Sequence, residues 1–570
     1  MNSSRQASLR VGLALCLALP LAACSSSPPA TTGQQTPGQA GASGQPTGTA
    51  GSSSVPTAGA GNGPGAAGAS GSSPVGGVAG SGAGGAPSAT GGAPSATGGS
   101  TGQAGGPTGQ AGSGSTAGAP PVVTLPDVVT SSDGSFWKTG TLTPVTSGTA
   151  DVTADASSKK QRWDGFGGTF NEAGWDAMSV LSASDKQMAL TLLFDAANGA
   201  NFAYGRLPIG ASDYALKRYT LDETANDYTM ASFSIAQDKM LLIPYIKAAL
   251  AVKPDIHLWA SPWTPPAWMK DNNSTDGGNM KDDDKTLTAF ALYLEKFVQA
   301  YAAEGLTIEA VHPQNEPGYG TNPYPCCGWS SALYIKFIRD YLGPQFKKDN
   351  VPAQIWCGTM SAPGDATIAT NLANDSAAMA FVKGFGLQWN TSGAVATLKS
   401  KNQPIMQTEH RCGNYNGFSS PHATSTYDPN KPQNDYAYGV ESWGNIKDWI
   451  DAGVNSYSAW NMVLDTLGAN LNATSTWHQN ALLTVDRSAK KLTATPAYYV
   501  FRHLSYFVAP KATVIGATGG NALAFQNPDG TYVVVMYNSG AAKKATVSLN
   551  GTLLQFDMPA NGFATIHHAK

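Results

Sequence analysis

Charge and aromatic side chains are missing from a long early part of the chain. From Ser25 to Pro126, 102 residues, there is no Asp, Glu, Lys, Arg, Phe, Tyr or Trp. Ordering a backbone costs about 1–2 kcal/mol per residue, and this composition buries too little apolar surface to offset it, so a folded domain is excluded there. Charged residues are also scarce overall, 13% of 570 residues, against about 25% in ordinary globular chains. The formal net charge of −3 excludes a strongly basic footprint, so nucleic acid is not an expected partner. The apolar run at 11–21 falls short of the about 20 residues a membrane-spanning helix needs. Paired CxxC, HExxH and EF-hand spacings are absent, and no Gly-rich phosphate loop opens the first helix: Gly165-Phe166-Gly167-Gly168 lies in a strand pattern and lacks the GxGxxG spacing. So no metal site and no cofactor is implied. Asp282-Asp283-Asp284 reads as a solvated charge run at a helix start rather than a calcium site.

What is present divides the chain into five parts: 1–24, 25–126, 127–162, 163–486 and 487–570. Arg5 and Arg10, the apolar run and Leu21-Ala22-Ala23-Cys24 form a secretory signal. The last four residues resemble a bacterial lipobox, which implies cleavage before Cys24 and its lipidation. Ser25 and Ser26, with no following aspartate, resemble the outer-membrane sorting pattern of Gram-negative lipoproteins. The expectation is an exported protein on the cell surface or outer membrane, held by lipid at Cys24 or released extracellularly. Residues 25–126 then form a Gly/Ala/Ser/Thr/Pro tether with a root-mean-square span of about 55 Å. Within it GGAPSAT occurs twice, at 84–90 and 91–97, a low-complexity duplication rather than a folded repeat.

The ordered part, from residue 127 on, carries all 52 aromatic side chains. Strand patterns at 165–170, 202–209, 256–263, 308–313, 354–359, 384–389, 405–409 and 456–464 alternate with helical ones at 238–252, 287–303 and 331–342. Ser184 with Gln187 reads as a capping box. Phe290, Tyr293, Leu294, Phe297 and Tyr301 form a core-facing stripe. Eight strands alternating with helices predict an α/β fold, a (β/α)8 TIM barrel, with a doubly wound sheet as the alternative. After a helix at 497–507, short strands at 512–515, 522–526, 532–537, 544–549 and 564–568 predict a small all-β sandwich domain. Strand-like segments at 142–145 and 151–155 are expected to complete its sheet.

In such a barrel reactive groups sit at the C-terminal strand ends. Glu316, in His312-Pro313-Gln314-Asn315-Glu316-Pro317, and Glu409, in Gln407-Thr408-Glu409-His410, fall there after the fourth and seventh strands. Two facing carboxylates suit glycoside hydrolysis, one as proton donor and one as nucleophile, about 5–5.5 Å apart for retention.

The sequence resembles glycoside hydrolase family 30, which contains glucosylceramidases and endo-β-1,6-glucanases. The resemblance rests on Gly165-Phe166-Gly167-Gly168, Arg206-Leu207-Pro208, the string from Ala260 to Lys270, Asn315-Glu316-Pro317 and Thr408-Glu409. It implies a retaining β-glycosidase using double displacement, with Glu316 as acid/base and Glu409 as nucleophile. Arg206 would favour ionised Glu409, Asn315 would hold the sugar 2-hydroxyl and Asp213 would accept sugar hydroxyls. Trp263, Trp460 and Trp477 would wall the sugar, with Asn461 and Asn480 beside them. A barrel-core role for each tryptophan stays open, and Trp175, Trp268 and Trp389 are left as structural or outer-rim residues. Where glucosylceramidase-like members carry His-Trp-Tyr, this chain has Gln388-Trp389-Asn390. Either Asn390 or another tyrosine is then expected to partner Glu409. His410 and Arg411 either shape a distinct subsite or point away. With Cys16 lost and Cys24 lipidated, Cys326, Cys327, Cys357 and Cys412 are candidates for disulfides in an exported domain, with free buried thiols as the alternative. The substrate would be a polysaccharide, oligosaccharide or glycolipid. The competing reading is a tethered carbohydrate-binding or adhesion protein with a non-catalytic barrel.

Overall fold

The computed structural model describes residues 124–414, 422, 428, 430–431, 433–471 and 477–569. The signal, Cys24 and nearly all of the tether lie outside these residues.

Eight parallel strands close into a barrel: Gly165–Thr169, Tyr204–Ile209, His257–Pro262, Ile308–Val311, Gln354–Met360, Val382–Leu387, Ile405–His410 and Ser456–Asn461. Closure is made by pairing the eighth with the first, from Ser456 against Gly165 to Asn461 against Thr169. The first, seventh and eighth strands are buried at every position. The first, Gly-Phe-Gly-Gly-Thr, reads accordingly as an apolar and small-residue run, whereas the seventh, Ile405–His410, buries Gln407, Thr408, Glu409 and His410. Residues 463–464, read with the eighth strand, instead belong to a separate strand, Val463–Asp465, in a three-stranded sheet with Leu483–Asp486 and Lys491–Ala494.

The helices differ from the sequence reading at their ends. Helix Ala183–Phe194 is capped by Ser182, whose Oγ accepts the Asp185 amide at 3.1 Å; Ser184 lies inside the first turn, where it cannot cap. Residues 238–241 precede helix Leu242–Val252 because the Asp238 carboxylate is drawn into the interior, accepting the Tyr219 and Tyr301 hydroxyls at 2.8 Å each. Asp283 caps helix Asp284–Ala303 by accepting from the Thr286 amide at 3.0 Å and its hydroxyl at 2.8 Å. That helix buries Phe290, Tyr293, Leu294, Phe297 and Tyr301. The run at 331–342 is α-helical over Ser331–Lys336 and then widens to a π-helical turn, Phe337–Leu342.

The all-β part is one ten-stranded sheet system drawn from both ends of the described chain. Val128–Ser132, Ser135–Gly140, Thr143–Val145 and Val152–Trp163 come from before the barrel. Six strands between Ala512 and His568 come from after it. The long strand Val152–Trp163 pairs antiparallel with Ala512–Thr518 and parallel with Lys543–Leu549. Thr552–Met558 is a strand the sequence pattern missed; it returns through Asn550 and Gly551, both at positive φ (47° and 89°), as a tight hairpin turn requires.

Trp163 joins the two parts. It is fully buried, 4.7 Å from Phe166 of the barrel and 6.2 Å from Phe525 of the sandwich, ring centre to ring centre. Trp163→Ala is expected to destabilise the chain by about 3–5 kcal/mol, measured by denaturant unfolding.

Candidate active site

The centre of the C-terminal barrel mouth is a buried cation. Arg206, on the second strand, is 0% exposed. Its Nη1 donates to Glu409 Oε2, at the end of the seventh strand. Its Nη2 donates to Asn315 Oδ1 at 2.6 Å, after the fourth strand, and to Ser261 Oγ at 3.1 Å, on the third. Asn315 Oδ1 also accepts the Thr359 hydroxyl at 2.7 Å, from the fifth strand. Three indoles surround the guanidinium: Trp263 at 4.4 Å, Trp259 at 5.2 Å and Trp460 at 5.5 Å to the ring centres. Burial lowers the Arg206 pKa from its ordinary value, and Glu409 opposes that. A guanidinium starts so high that it stays charged.

The two glutamates meet different partners. Glu409, 4% exposed, has the Arg206 cation on Oε2 and the Trp389 indole N–H on Oε1 at 3.1 Å. Among the described residues Glu316 receives neutral donors: the Gln388 amide on Oε1 at 2.9 Å, the Tyr324 hydroxyl on Oε2 at 3.2 Å and the Ser361 side chain. Gln388 Oε1 lies 2.8 Å from the Thr408 hydroxyl, which is also 3.2 Å from the Leu387 carbonyl. Burial, the largest influence on both carboxyls, raises them above the ordinary range. Arg206 pulls Glu409 back down and the neighbouring Glu316 charge pushes it up. With one cation in direct contact with Glu409 and, among the described residues, none in contact with Glu316, a single negative charge shared between them resides on Glu409.

Glu316 and Trp389 both hold left-handed backbone, at φ 49° and 51°. For non-glycine residues that conformation costs about 1–2 kcal/mol and persists only where the surroundings impose it. It turns the Glu316 and Trp389 side chains out of the run of the fourth and sixth strands.

Several sequence-stated residues converge here: Arg206, Asn315, Glu316 and Glu409, with Trp263 and Trp460 stacked at 5.3 Å and 16°. Both tryptophans are buried and share a cluster with Tyr214 and Tyr324, and Trp477 meets the Tyr324 edge at 5.1 Å. Asp213 is buried in the same region; burial first, then Glu409 and Glu316, raise its carboxyl well above the usual range. Asn461 and Asn480 are engaged with the framework. Asn461 accepts from Asn171 at 2.7 Å and donates to Gln479 at 3.3 Å, while Asn480 donates to the Cys412 and Gln433 carbonyls at 3.2 and 3.0 Å.

Two expectations are corrected, and one open pair of alternatives is decided for Arg411. The partner of Glu409 after the sixth strand is neither Asn390 nor a tyrosine but the indole of Trp389, which had been left as a rim residue. Arg411 points away from the site, its Nε donating to Glu441, and His410 packs its ring against Trp389 at 5.3 Å. Cys326, Cys327, Cys357 and Cys412 are free buried thiols, the last two on the fifth strand and just past the seventh, so the anticipated bridges are not formed. Tyr324, Ser261 and Thr359 were not given a role from the sequence, because single polar residues in loops and strands carry no pattern of their own, and Gln388 was noted only as part of the Gln388-Trp389-Asn390 departure.

The family model described as the glycosyl hydrolase family 30 TIM-barrel domain matches residues 163–508, and that of the family 30 beta sandwich domain matches 511–566. The endo-1,6-β-D-glucanase of Aspergillus fumigatus is 26% identical over 433 residues, covering 70% of this chain and 83% of that protein. The lysosomal acid glucosylceramidase of Mus musculus is 34% identical over 202 residues, 34% of this chain and 39% of that protein. The solved structure of an endo-β1,6-glucanase superposes with a TM-score of 0.68 at 24% identity, covering 78% of this chain and 99% of that one.

The Trp389 contact gives a prediction. A donor to a carboxylate favours its charged form, so Trp389→Phe should raise the Glu409 pKa by about one unit. Carboxyl 13C NMR titration of Glu409 in the two proteins measures the shift, and an unchanged value removes Trp389 from this role.

Proposed function

Since the chain belongs to glycosyl hydrolase family 30, an O-glycosyl hydrolase family whose substrates are carbohydrates or glycolipids, we propose that it cleaves β-glucosidic bonds with retention, using Glu409 as nucleophile and Glu316 as acid/base. The observation that carries this reading is the asymmetry of donors around the pair: a cation on Glu409, neutral hydrogen-bond donors on Glu316. Membership sets aside the reading as a non-catalytic carbohydrate-binding barrel.

In the first step ionised Glu409 attacks the anomeric carbon, and Glu316 gives its proton to the departing glycosidic oxygen. Forming the covalent bond removes the charge on Glu409. The proton affinity of Glu316 then falls at the moment it must take a proton from water. That water breaks the glycosyl–Glu409 bond and restores the starting state. Asn315, fixed by Arg206 and Thr359 at 2.6 and 2.7 Å, has its amide NH2 left to engage the sugar 2-hydroxyl. The relatives point to a β-glucosyl substrate, either a β-1,6-glucan or a glucosylceramide, and product sizes from pustulan and glucosylceramide separate the two.

Glu316→Gln and Glu409→Gln should each lose most activity, and azide should restore turnover only to a small side chain at 316, as in Glu316→Ala, on substrates with good leaving groups. The kcat/KM profile should be bell-shaped. It falls at low pH as Glu409 takes up a proton and at high pH as Glu316 loses one. Burial raises both groups, so the bell lies at higher pH than two exposed carboxylates would give. In Glu316→Gln the alkaline limb should vanish. Near-normal turnover by Glu409→Gln would overturn the assignment.

The same reading places the enzyme outside the cytoplasm, anchored by lipid at Cys24 through the uncharged tether. Its support is the lipobox-like string and the composition of 25–126. A Cys24→Ala variant should appear in the culture medium while the native chain fractionates with membranes; retention of the variant would count against the anchor.

A further inference from the structure

At the opposite, N-terminal mouth of the barrel lies a second cavity, of about 400 Å³. Barrel interiors are ordinarily filled at this level by bulky branched side chains. Here the walls are rings: Tyr204, Trp259, His312 and Trp356, with Ala310 and Met406 between them. The rings are ordered against one another, Trp259 to His312 at 4.4 Å, His312 to Trp356 at 5.3 Å and 28°, and Tyr204 to His257 at 5.3 Å. Two glycines of the sixth strand make room for them. A Cβ at Gly384 would stand 2.5 Å from the Trp356 indole, and one at Gly386 would stand 2.9 Å from His312 Nδ1. The space is therefore built by the sequence rather than left over.

The rim is polar and carries two ion pairs. Arg162 pairs with Asp164 at 2.6 Å, and His257 with Glu309 at 2.8 Å. Gln354, Gln403 and Lys383 complete it. Aromatic side chains below and a rim of amides, two ion pairs and the Lys383 ammonium above give a mixed apolar and polar lining. They suit a neutral ring with an apolar C–H face and hydroxyls at its edge, and the volume falls in the range of small-molecule sites. We propose that this cavity binds a pyranose unit, as a carbohydrate site separate from the active site. Arg206, Glu316, Glu409 and Trp389 do not line it. The Trp259 indole lies between the two compartments, with His312 on the cavity side and the Arg206 guanidinium 5.2 Å from its centre. A site at this end would let the enzyme hold one stretch of a glycan while the other mouth acts on another.

The test uses the full chain carrying Glu409→Gln, titrated with gentiobiose and with D-glucose by calorimetry. Binding at the lower mouth is expected to weaken roughly tenfold or more in Trp356→Ala and in Ala310→Leu, which fills the cavity. The same two substitutions in the otherwise native chain should leave kcat/KM on a chromogenic β-glucoside within about twofold. Should Trp356→Ala fail to fold, Ala310→Leu carries the comparison. Absence of sugar binding, binding that neither substitution alters, or binding of indole in place of sugars would overturn the proposal. Because the readout is binding, loss of the proposed hydrolysis and loss of this site are distinguishable.

Discussion

The buried guanidinium of Arg206 is the constraint around which the upper barrel is arranged. Removing a charge from water costs several kcal/mol even after relaxation. Here the cost is met by partners from separate strands: Glu409, Asn315, Ser261 and the faces of three tryptophans. Each contact also fixes its partner. The seventh strand cannot slip without pulling Glu409 from the cation, and the loop after the fourth cannot move without freeing Asn315. Trp263 and Trp460, which the sequence suggested as sugar walls, owe their buried stacking in part to covering this charge. Breaking one member of such a set leaves an uncompensated ion, which is why the arrangement is rigid as well as charged.

Around that fixed charge the chain accepts local strain. Glu316 and Trp389 occupy backbone conformations that few side chains adopt, and both are the residues whose polar atoms face the reacting space. The donors to Glu316 are neutral, and Thr408 holds the Gln388 amide beside it. The electrostatic difference between the two glutamates is thus set by Arg206 of the second strand acting on Glu409, and by Gln388, after the sixth strand, and Tyr324, from the loop after the fourth, acting on Glu316.

Much of this was legible in the residues. All eight barrel strands fall within a few positions of the periodic runs, because strands buried on both faces leave largely apolar or small-residue segments. Glu316, Glu409, Arg206 and Asn315 were readable because they sit in motifs at strand ends. Trp389 was not, because its role depends on a left-handed turn that no local pattern announces. Gln388 and Tyr324 act singly and leave no spacing to find. The free thiols were ambiguous from the start, since a cysteine that packs as a small apolar group and one that is bridged look alike in sequence. Ser182 was displaced by Ser184 in the reading because two serines stand close together, and only the backbone angles decide which one caps.

The sheet drawn from both ends of the chain has a bearing on how the protein is made. Val152–Trp163 precedes the whole barrel, yet its hydrogen-bonding neighbours, Ala512–Thr518 and Lys543–Leu549, are among the last segments to be synthesised. During vectorial synthesis or passage through a translocation pore, that strand emerges early and stays without its neighbours until nearly the entire polypeptide has followed. The barrel can close before the sandwich does, so an exposed strand edge persists until Ala512–Thr518 and Lys543–Leu549 have been made. Completion of the C-terminal strands then acts as the step that seals the molecule, and a chain cut short before residue 512 would carry a full set of barrel strands together with an open, adhesive edge.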